Sequence, residues 1–309
     1  MLVCWVSSVV RSDVQLTWPR KRRARFSTRP PPKFKGEERP NFLCVGAQKS
    51  GTSWLYHQLN LHPDFWMPPV KELRYFDQIG CSRHPDRSCW QKIAPRDLRD
   101  EAFVMGMEAL CTTPFIERER YGELFAPKEG LLSGDITPRY SGLSEEMIAL
   151  VMDHFPQLKI VFIARDPVER AWSALCLGVK SGGLSPFDIS DRNVVTRHLL
   201  HPDIVLTSFP SMTVARWRRH VPAEQMQVYF FDDLQSHPAV LRAEIIEFLG
   251  GDPAKARGDA TAKINEDRSK LRLSAEMRSH IAQFFAHELK TCARELGGAA
   301  LKWPARYGL

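Results

Sequence analysis

Residues 42–55 read Phe42-Leu43-Cys44-Val45-Gly46-Ala47-Gln48-Lys49-Ser50-Gly51-Thr52-Ser53-Trp54-Leu55. The first four residues form a short apolar run that ends at a glycine, which is typical of a strand buried in a parallel sheet. From Thr52 to Leu61 the apolar residues recur at helical spacing, and the pattern stops before His62-Pro63, because a residue that precedes proline disfavours helix. The sequence therefore predicts a strand, a tight loop and a helix in direct succession.

The same two patterns continue towards the C-terminus. Apolar runs predict further buried strands at Leu131–Ile136, Lys159–Ala164 and Gln227–Phe231. Helical periodicity predicts helices at Glu145–His154, Val168–Leu177, Val214–His220, Ala239–Leu249 and Ser274–Leu296. Strands that alternate with helices indicate the α/β class, as a three-layer sandwich around a mostly parallel central sheet.

The loop between the first strand and its helix is suited to binding an anion. Backbone N–H groups and the positive end of the helix dipole converge there. Gly46 and Gly51 keep the spacing of the Walker A motif, but Thr52 stands where that motif has its lysine, and Lys49 lies inside the loop. A P-loop kinase or nucleotidase that uses ATP and Mg²⁺ is the weaker interpretation, since the sequence also shows no clear acidic magnesium site.

The wider run Gln48–Leu55 closely resembles the 5′-phosphosulfate-binding loop of the superfamily of sulfotransferases that use 3′-phosphoadenosine 5′-phosphosulfate (PAPS). Together with Lys71-Glu72 and Tyr75-Phe76, it resembles most the bacterial members related to heparan-sulfate sulfotransferases. The resemblance implies a P-loop, nucleotide-kinase-like fold, and a catalytic Lys49 that contacts the bridging oxygen and the leaving phosphate. It also implies that the 5′ end of PAPS is bound by Gln48, Lys49, Ser50, Gly51, Thr52 and Ser53.

A second anion site is expected at Arg165, which follows the strand Lys159–Ala164, because ligands of parallel sheets gather at the carboxyl ends of the strands. Residues 165–173 resemble the 3′-phosphate motif of the superfamily, which implies that Arg165 and Ser173 hold the 3′-phosphate of PAPS. Asp166 and Pro167 are also suited to begin a helix, as its N-cap and first residue, whether or not a ligand is bound.

The acceptor must lose a proton as it attacks sulfur, so a base is needed within hydrogen-bond reach. Residues 68–77 resemble the segment that supplies a catalytic glutamate in the heparan-sulfate and bacterial branches, which implies that Glu72 is the base and that Lys71 lies near the substrate. Those branches commonly have Pro-His after the glutamate, where this chain has Leu73-Arg74. The alternative bases are three histidines, His57, His62 and His154.

Two further segments supply weaker candidates. Residues 134–140 resemble the part of the family that lines the acceptor side of the cleft, which implies that Asp135 touches the substrate or supports a residue that does; a turn aspartate that caps a loop is an equal alternative. The family often closes a basic loop over the nucleotide, and the candidates here are Lys263, Asn265 and Arg268. Solvated surface charge is the simpler interpretation of these three.

The formal charge of +7 is concentrated near the N-terminus. Residues 1–40 hold 10 Lys and Arg against 3 Asp and Glu, and residues 41–309 are balanced. A nucleic-acid partner is therefore not expected. Residues 1–40 are expected to be a basic, Pro-rich extension and residues 41–309 one domain; a targeting peptide is an alternative for the extension.

The seven cysteines are scattered and lack zinc-ligand spacing, which indicates reduced thiols and a cytoplasmic protein, with Cys81 and Cys89 the pair to watch. The N-terminal apolar run is broken by serines and is too short to span a membrane.

These observations predict a sulfotransferase that moves a sulfuryl group from PAPS, without a metal, to a hydroxyl or amine of a carbohydrate or small metabolite. A catalytically silent nucleotide-binding module is the rival from another class. Residues 79–100 and 179–204 are expected to select the acceptor, and the sequence predicts no oligomeric state.

Overall fold

The computed structural model describes residues 39–77, 93–110, 116–264 and 271–309. Four strands form its sheet: β1 (Phe42–Gly46), β2 (Gly134–Ile136), β3 (Lys159–Ala164) and β4 (Met226–Phe230). The strands are all parallel and lie in the order β2-β1-β3-β4, with Cys44 beside Ile136 and Val161, and Phe162 beside Val228.

Helices flank this sheet. They are α1 (Thr52–Asn60), α2 (Leu98–Leu110), α3 (Arg118–Glu123), α4 (Glu145–His154), α5 (Pro167–Lys180), α6 (Arg192–Leu199), α7 (Pro202–Val205), α8 (Pro210–Arg218), α9 (Phe231–Ser236), α10 (Pro238–Leu249), α11 (Ala275–Phe284) and α12 (Ala286–Leu296). Short 3₁₀ helices lie between these elements and at the C-terminal end, at Ala126–Lys128, Pro138–Gly142, Ala223–Gln225, Pro253–Lys255, Gly298–Lys302 and Pro304–Tyr307.

The core has two parts, one on each face of the sheet, because successive side chains of a strand point to opposite faces. Leu43 and Phe162 pack with α4, α5, α8, α11 and α12. Phe42 and Val161 face the other way, onto α1 and α10. Each fully buried side chain of this kind contributes about 1.5–3 kcal/mol. The predicted three-layer α/β sandwich is confirmed.

Several predicted boundaries are wrong, and local contacts explain why. The strand predicted at Leu131–Ile136 is shortened to Gly134–Ile136, because the N–H and C=O groups of Leu132 bond to Asp64 and Trp66 instead of to β1. Helix α8 begins four residues earlier than predicted, at Pro210, whose fixed φ suits the first helical position. The strand β4 ends one residue early, because Phe231 already begins α9.

The long helix predicted at Ser274–Leu296 is two helices. The chain bends at Phe285, which has φ −97° and ψ 12° and separates α11 from α12. The Phe285 ring is buried edge-on against Phe209, with 5.6 Å between the ring centroids. Packing against a distant residue thus overrides a helical pattern that continues without interruption in the sequence.

Two expectations from composition can be compared with the described residues. Cys44, Cys176 and Cys292 are buried and form no disulfide bond, and burial raises the pKa of the Cys44 thiol to about 12. Cys81 and Cys89 lie outside the described residues, as do residues 1–38 of the predicted extension. In the part of the chain that the structure describes, no helix is long and apolar enough to cross a membrane.

Candidate active site

The candidate residues collect at the carboxyl edge of the sheet. The loop Gly46–Thr52 follows β1, the segment 137–142 follows β2, Arg165 follows β3 and Phe231 follows β4. Because all four strands are parallel, these segments leave the sheet on the same side. The predicted anion loop, Arg165 and the segment 137–142, which was expected on the acceptor side, therefore lie together at this edge of the sheet.

The loop after β1 holds an uncommon backbone. Gly51 has φ +88°, and a Cβ added there would lie 2.3 Å from Leu234 Cδ2, so the position is suited to glycine. Lys49 has φ +70°, which a non-glycine residue adopts at an energetic cost. The Ser50 hydroxyl is fully buried, and the described residues offer its Oγ no hydrogen-bond partner. Such features cluster where a loop is shaped for a ligand.

Arg165 contacts this loop directly. Its guanidinium donates a hydrogen bond to the Lys49 carbonyl and lies over the Phe231 ring, 4.3 Å from the centroid. Burial lowers the pKa of Arg165, and among the described residues its Nε finds no acceptor. Ser173 lies on α5 and is nearly buried. The predicted helix start is confirmed, since Asp166 Oδ1 accepts from the Val168 N–H at 3.0 Å.

A second buried arginine supports the loop from behind, and sequence reasoning did not single it out. Arg170 donates from Nε to the Gln48 carbonyl at 3.3 Å and from the guanidinium to Gln48 Oε1 at 3.2 Å. The same guanidinium reaches the Ser208 hydroxyl at 2.7 Å. Arg170 is 1% exposed, so these contacts lie inside the protein. The side chain thus fixes the Gln48 end of the loop against α5.

Glu72 lies at the carboxyl end of β2, on the acceptor side of the loop. Its backbone N–H donates to the Ile136 carbonyl at 3.2 Å, and its φ is +66°. The carboxylate Oε1 accepts from Lys71 Nζ at 2.6 Å, with 35% of the Glu72 side chain exposed. Lys71 and Glu72 therefore form a partly exposed ion pair beside the carboxyl end of β2.

Asp135, which was expected to touch the substrate or to support a residue that does, is buried in the structure. The residue is 1% exposed, and its carboxylate accepts hydrogen bonds from the hydroxyls of Thr137, Tyr140 and Tyr121 at 2.7, 2.8 and 3.1 Å. Burial raises the pKa of Asp135 to about 6, and these hydrogen bonds limit the increase. The carboxylate is therefore held by hydroxyl groups of the protein itself.

The alternative bases are held by structural contacts. His62 is buried, with Nε2 3.0 Å from the Asp252 carbonyl oxygen and Nδ1 accepting from the Asp64 N–H. The ring of His154 packs edge-on against Phe155. His57 lies in the last turn of α1. Lys263 is exposed, and Asn265 and Arg268 lie outside the described residues.

The C-terminal segment forms a further wall at this edge, which sequence reasoning also missed. It borders a cleft of about 310 Å³ whose lining residues are Arg165, Asp166, Glu169, Phe231, Asp232, Gln235, Arg278, Arg306 and Tyr307. The Tyr307 hydroxyl donates to Asp166 Oδ2 at 2.8 Å, and Arg306 pairs with Asp166 and Asp232. Burial raises the pKa of Asp166 to about 6 in spite of these contacts.

The sheet, the loop after β1 and the flanking helices place the chain among P-loop-like α/β proteins. A family model described as the sulfotransferase family matches residues 40–253. That match covers most of the chain and all of the strands. The chain therefore belongs to the sulfotransferase family and is an enzyme of that class.

The chain is similar to several solved structures of sulfotransferases. A sulfotransferase from Alicyclobacillus acidocaldarius is 23% identical, with 86% of this chain and 98% of that chain covered and a TM-score of 0.61. The sulfotransferase domain of the Synechococcus PCC 7002 olefin synthase is 18% identical (84% and 98% covered, TM-score 0.48). Mouse sulfotransferase SULT7A1, complexed with PAP, is 16% identical (87% and 90% covered, TM-score 0.48). No curated protein matches the chain by sequence.

Proposed function

We propose that this enzyme transfers a sulfuryl group from PAPS to a hydroxyl or amine of a carbohydrate or small metabolite. One observation carries the choice of donor: the Arg165 guanidinium donates to the carbonyl of Lys49, so the two predicted anion sites are adjacent. A donor with phosphate groups on both sides of one ribose requires two such sites close together. ATP has no phosphate on its ribose 3′ carbon and does not require the second.

The residues of the loop and of Arg165 fit an anionic nucleotide. The buried Ser50 Oγ and Arg165 Nε are donors without a partner among the described residues, and buried donors are normally satisfied. We assign the 5′-phosphosulfate to Gln48, Lys49, Ser50, Gly51, Thr52 and Ser53, and the 3′-phosphate to Arg165 and Ser173. When bound, PAPS supplies the sulfuryl group and a phosphate leaving group on which negative charge develops. Lys49 and the loop N–H groups offset that charge.

On the acceptor side, Glu72 takes the proton of the attacking hydroxyl or amine. Lys71, whose Nζ lies 2.6 Å from Glu72 Oε1, holds the carboxylate in place. Lys49 and Arg165 supply the positive charge that Mg²⁺ supplies in P-loop ATPases. We therefore expect turnover to persist in excess EDTA.

The donor site is tested by calorimetric titration of the purified protein with 3′-phosphoadenosine 5′-phosphate (PAP), which is PAPS without its sulfuryl group. A parallel titration uses ATP and Mg²⁺. We expect PAP to bind selectively, and Arg165→Ala to raise its Kd about 100-fold, which corresponds to ~2.7 kcal/mol for charge-assisted hydrogen bonds lost to the phosphate. Arg219→Ala is the matched control, because Arg219 pairs with Glu145 on the protein surface. Preference for ATP with Mg²⁺ would establish the kinase alternative, and a Kd unchanged in Arg165→Ala would remove Arg165 from the site.

Turnover is tested with ³⁵S-labelled PAPS against a panel of saccharides and of phenolic and amine metabolites. PAPS hydrolysis, with water in the place of the acceptor, is measured in the same samples as PAP release. Label in at least one saccharide or metabolite is the expected result. Tight PAP binding with neither transfer nor hydrolysis would instead show a silent nucleotide-binding module.

The support that Arg170 gives to the loop leads to a separate prediction. Arg170→Lys keeps the charge but loses the planar fork that contacts Gln48 at two atoms, so we expect the Kd of PAP to rise about 10-fold, or ~1.4 kcal/mol. Calorimetry measures the change, with the exposed Arg218→Lys on α8 as the control. Equal Kd values in the two variants would show that the loop keeps its shape without Arg170.

A further inference from the structure

The segment that carries Glu72 adopts a backbone that needs external support. Glu72 has φ +66° and Arg74 has φ +55°, and both are non-glycine residues in the left-handed region. Such a conformation is strained for a residue with a Cβ, and it persists only where surrounding contacts hold it. The contacts that hold residues 72–76 therefore determine where the Glu72 carboxylate lies.

Two hydroxyl groups support residues 74–76 of this segment. Thr137 Oγ1 accepts from the Arg74 N–H at 3.3 Å. Tyr140 Oη accepts from the N–H groups of Tyr75 at 3.0 Å and Phe76 at 3.5 Å. Three successive backbone donors of the segment thus end on side chains that follow β2.

Asp135 sets the direction of both hydroxyls. A hydroxyl has one hydrogen, and it can accept from an N–H group only with its lone pairs. Thr137 and Tyr140 donate their hydrogens to Asp135 Oδ1 and Oδ2, at 2.7 and 2.8 Å. Their lone pairs are therefore left for the N–H groups of residues 74–76.

The surroundings make this arrangement specific. Tyr121 stacks on Tyr75 with an interplanar angle of 11°, and its ring also contacts Phe76 at 4.6 Å between centroids. Tyr121, Tyr140 and Asp135 are all buried. Without water to replace a lost partner, each hydrogen bond in this cluster counts more than one at the surface.

We propose that Asp135 is a positioning residue which, through Thr137 and Tyr140, fixes the backbone of residues 74–76 and with it the catalytic carboxylate of Glu72. The proposal rests on the proposed function, in which Glu72 is the base. Of the two roles expected for Asp135, it selects the indirect one, and it adds Thr137 and Tyr140 to the residues on which turnover depends.

The experiment compares Tyr140→Phe with Tyr121→Phe. Both changes remove one buried hydroxyl that donates to Asp135 Oδ2, but only Tyr140 accepts from the backbone of the segment. We expect Tyr140→Phe to lower kcat for PAPS hydrolysis about 10- to 100-fold by displacing the base, with the Kd of PAP unchanged. Tyr121→Phe is expected to lower kcat by a smaller factor, because it leaves the hydrogen bonds to the N–H groups of residues 74–76 in place.

Amide hydrogen exchange, measured by mass spectrometry on peptides that span residues 72–77, supplies a readout that needs no donor or acceptor. Faster exchange in Tyr140→Phe than in Tyr121→Phe is expected. Thr137→Val, which removes the acceptor of the Arg74 N–H, serves as a second variant if Tyr140→Phe does not fold. Equal kcat and equal exchange in the tyrosine variants would overturn the proposal. Failure of the parent protein to bind PAP would instead overturn the proposed function. The exchange rates would then still show whether Tyr140 supports the backbone of residues 74–76.

Discussion

Glu72→Gln is expected to lower kcat for PAPS hydrolysis, and for transfer to any acceptor found, by about 10²–10⁴-fold, which is the range for loss of a general base. The amide oxygen still accepts from Lys71 Nζ, which lies 2.6 Å from Glu72 Oε1, so the local geometry is kept. An amide cannot take the proton of the attacking group, however. Steady-state assays of PAP release measure the effect.

The Kd of PAP separates a loss of chemistry from a loss of binding. It should stay at the parent value in Glu72→Gln, because Glu72 lies on the β2 side of the loop and Arg165 on the β3 side. Glu145→Gln is the control, since Glu145 lies on α4 and makes a surface ion pair with Arg219. If kcat in Glu72→Gln stays within about 10-fold of the parent value, the base is another group, and His57 on α1 becomes the first candidate.

The architecture was predictable because its signals are local. Each buried parallel strand is a continuous apolar run, and the start of α5 is marked by Asp166 and Pro167. The errors arise where a distant residue decides the outcome. Phe209 packs on Phe285 where the predicted long helix divides, and Asp64 takes the hydrogen bond that would have extended β2.

The candidate site also contains residues that local sequence patterns indicate and residues that only the fold brings there. Lys49, Glu72 and Arg165 each lie within a motif of neighbouring residues, so the sequence indicates them as candidates before any contact is known. Arg170 and Arg306 could not be predicted from such a motif. Arg170 bonds to Gln48, 122 positions away, and Arg306 pairs with Asp166, 140 positions away. Contacts over such separations depend on the folded sheet, and no pattern within either segment predicts them.

Asp135 shows most clearly what the sequence leaves undetermined about the candidate site. Its segment predicts a residue near the acceptor side, and in the structure Asp135 lies in β2, where the Ile136 carbonyl accepts from the Glu72 N–H. The sequence does not say which way the side chain points. Tyr121 comes from α3, and its position against Asp135 becomes known only in the fold.

Lys49→Met is expected to lower kcat for PAPS hydrolysis by about 10²–10³-fold, or roughly 2.7–4 kcal/mol, the range for loss of one preorganised group at the site of developing charge. Methionine keeps most of the length of the side chain and removes its charge. The backbone should tolerate the change, because Met and Lys bear the same strain at φ +70°, and the Lys49 carbonyl that accepts from Arg165 is retained. Pre-steady-state measurement of PAP release isolates the chemical step.

The affinity for PAPS separates two roles for this lysine, because PAP already carries the full charge of the departed phosphate. If Lys49 acts on charge that develops as the S–O bond breaks, kcat should fall by a larger factor than PAPS affinity does, since such a group binds the transition state better than the ground state. Lys290→Met, at an exposed lysine on α12, controls for the loss of one positive charge from the protein. Equal losses in kcat and affinity would show that Lys49 holds the nucleotide without stabilising the leaving phosphate. The charge would then be offset by the N–H groups of the loop and the start of α1, which remain in place in the variant.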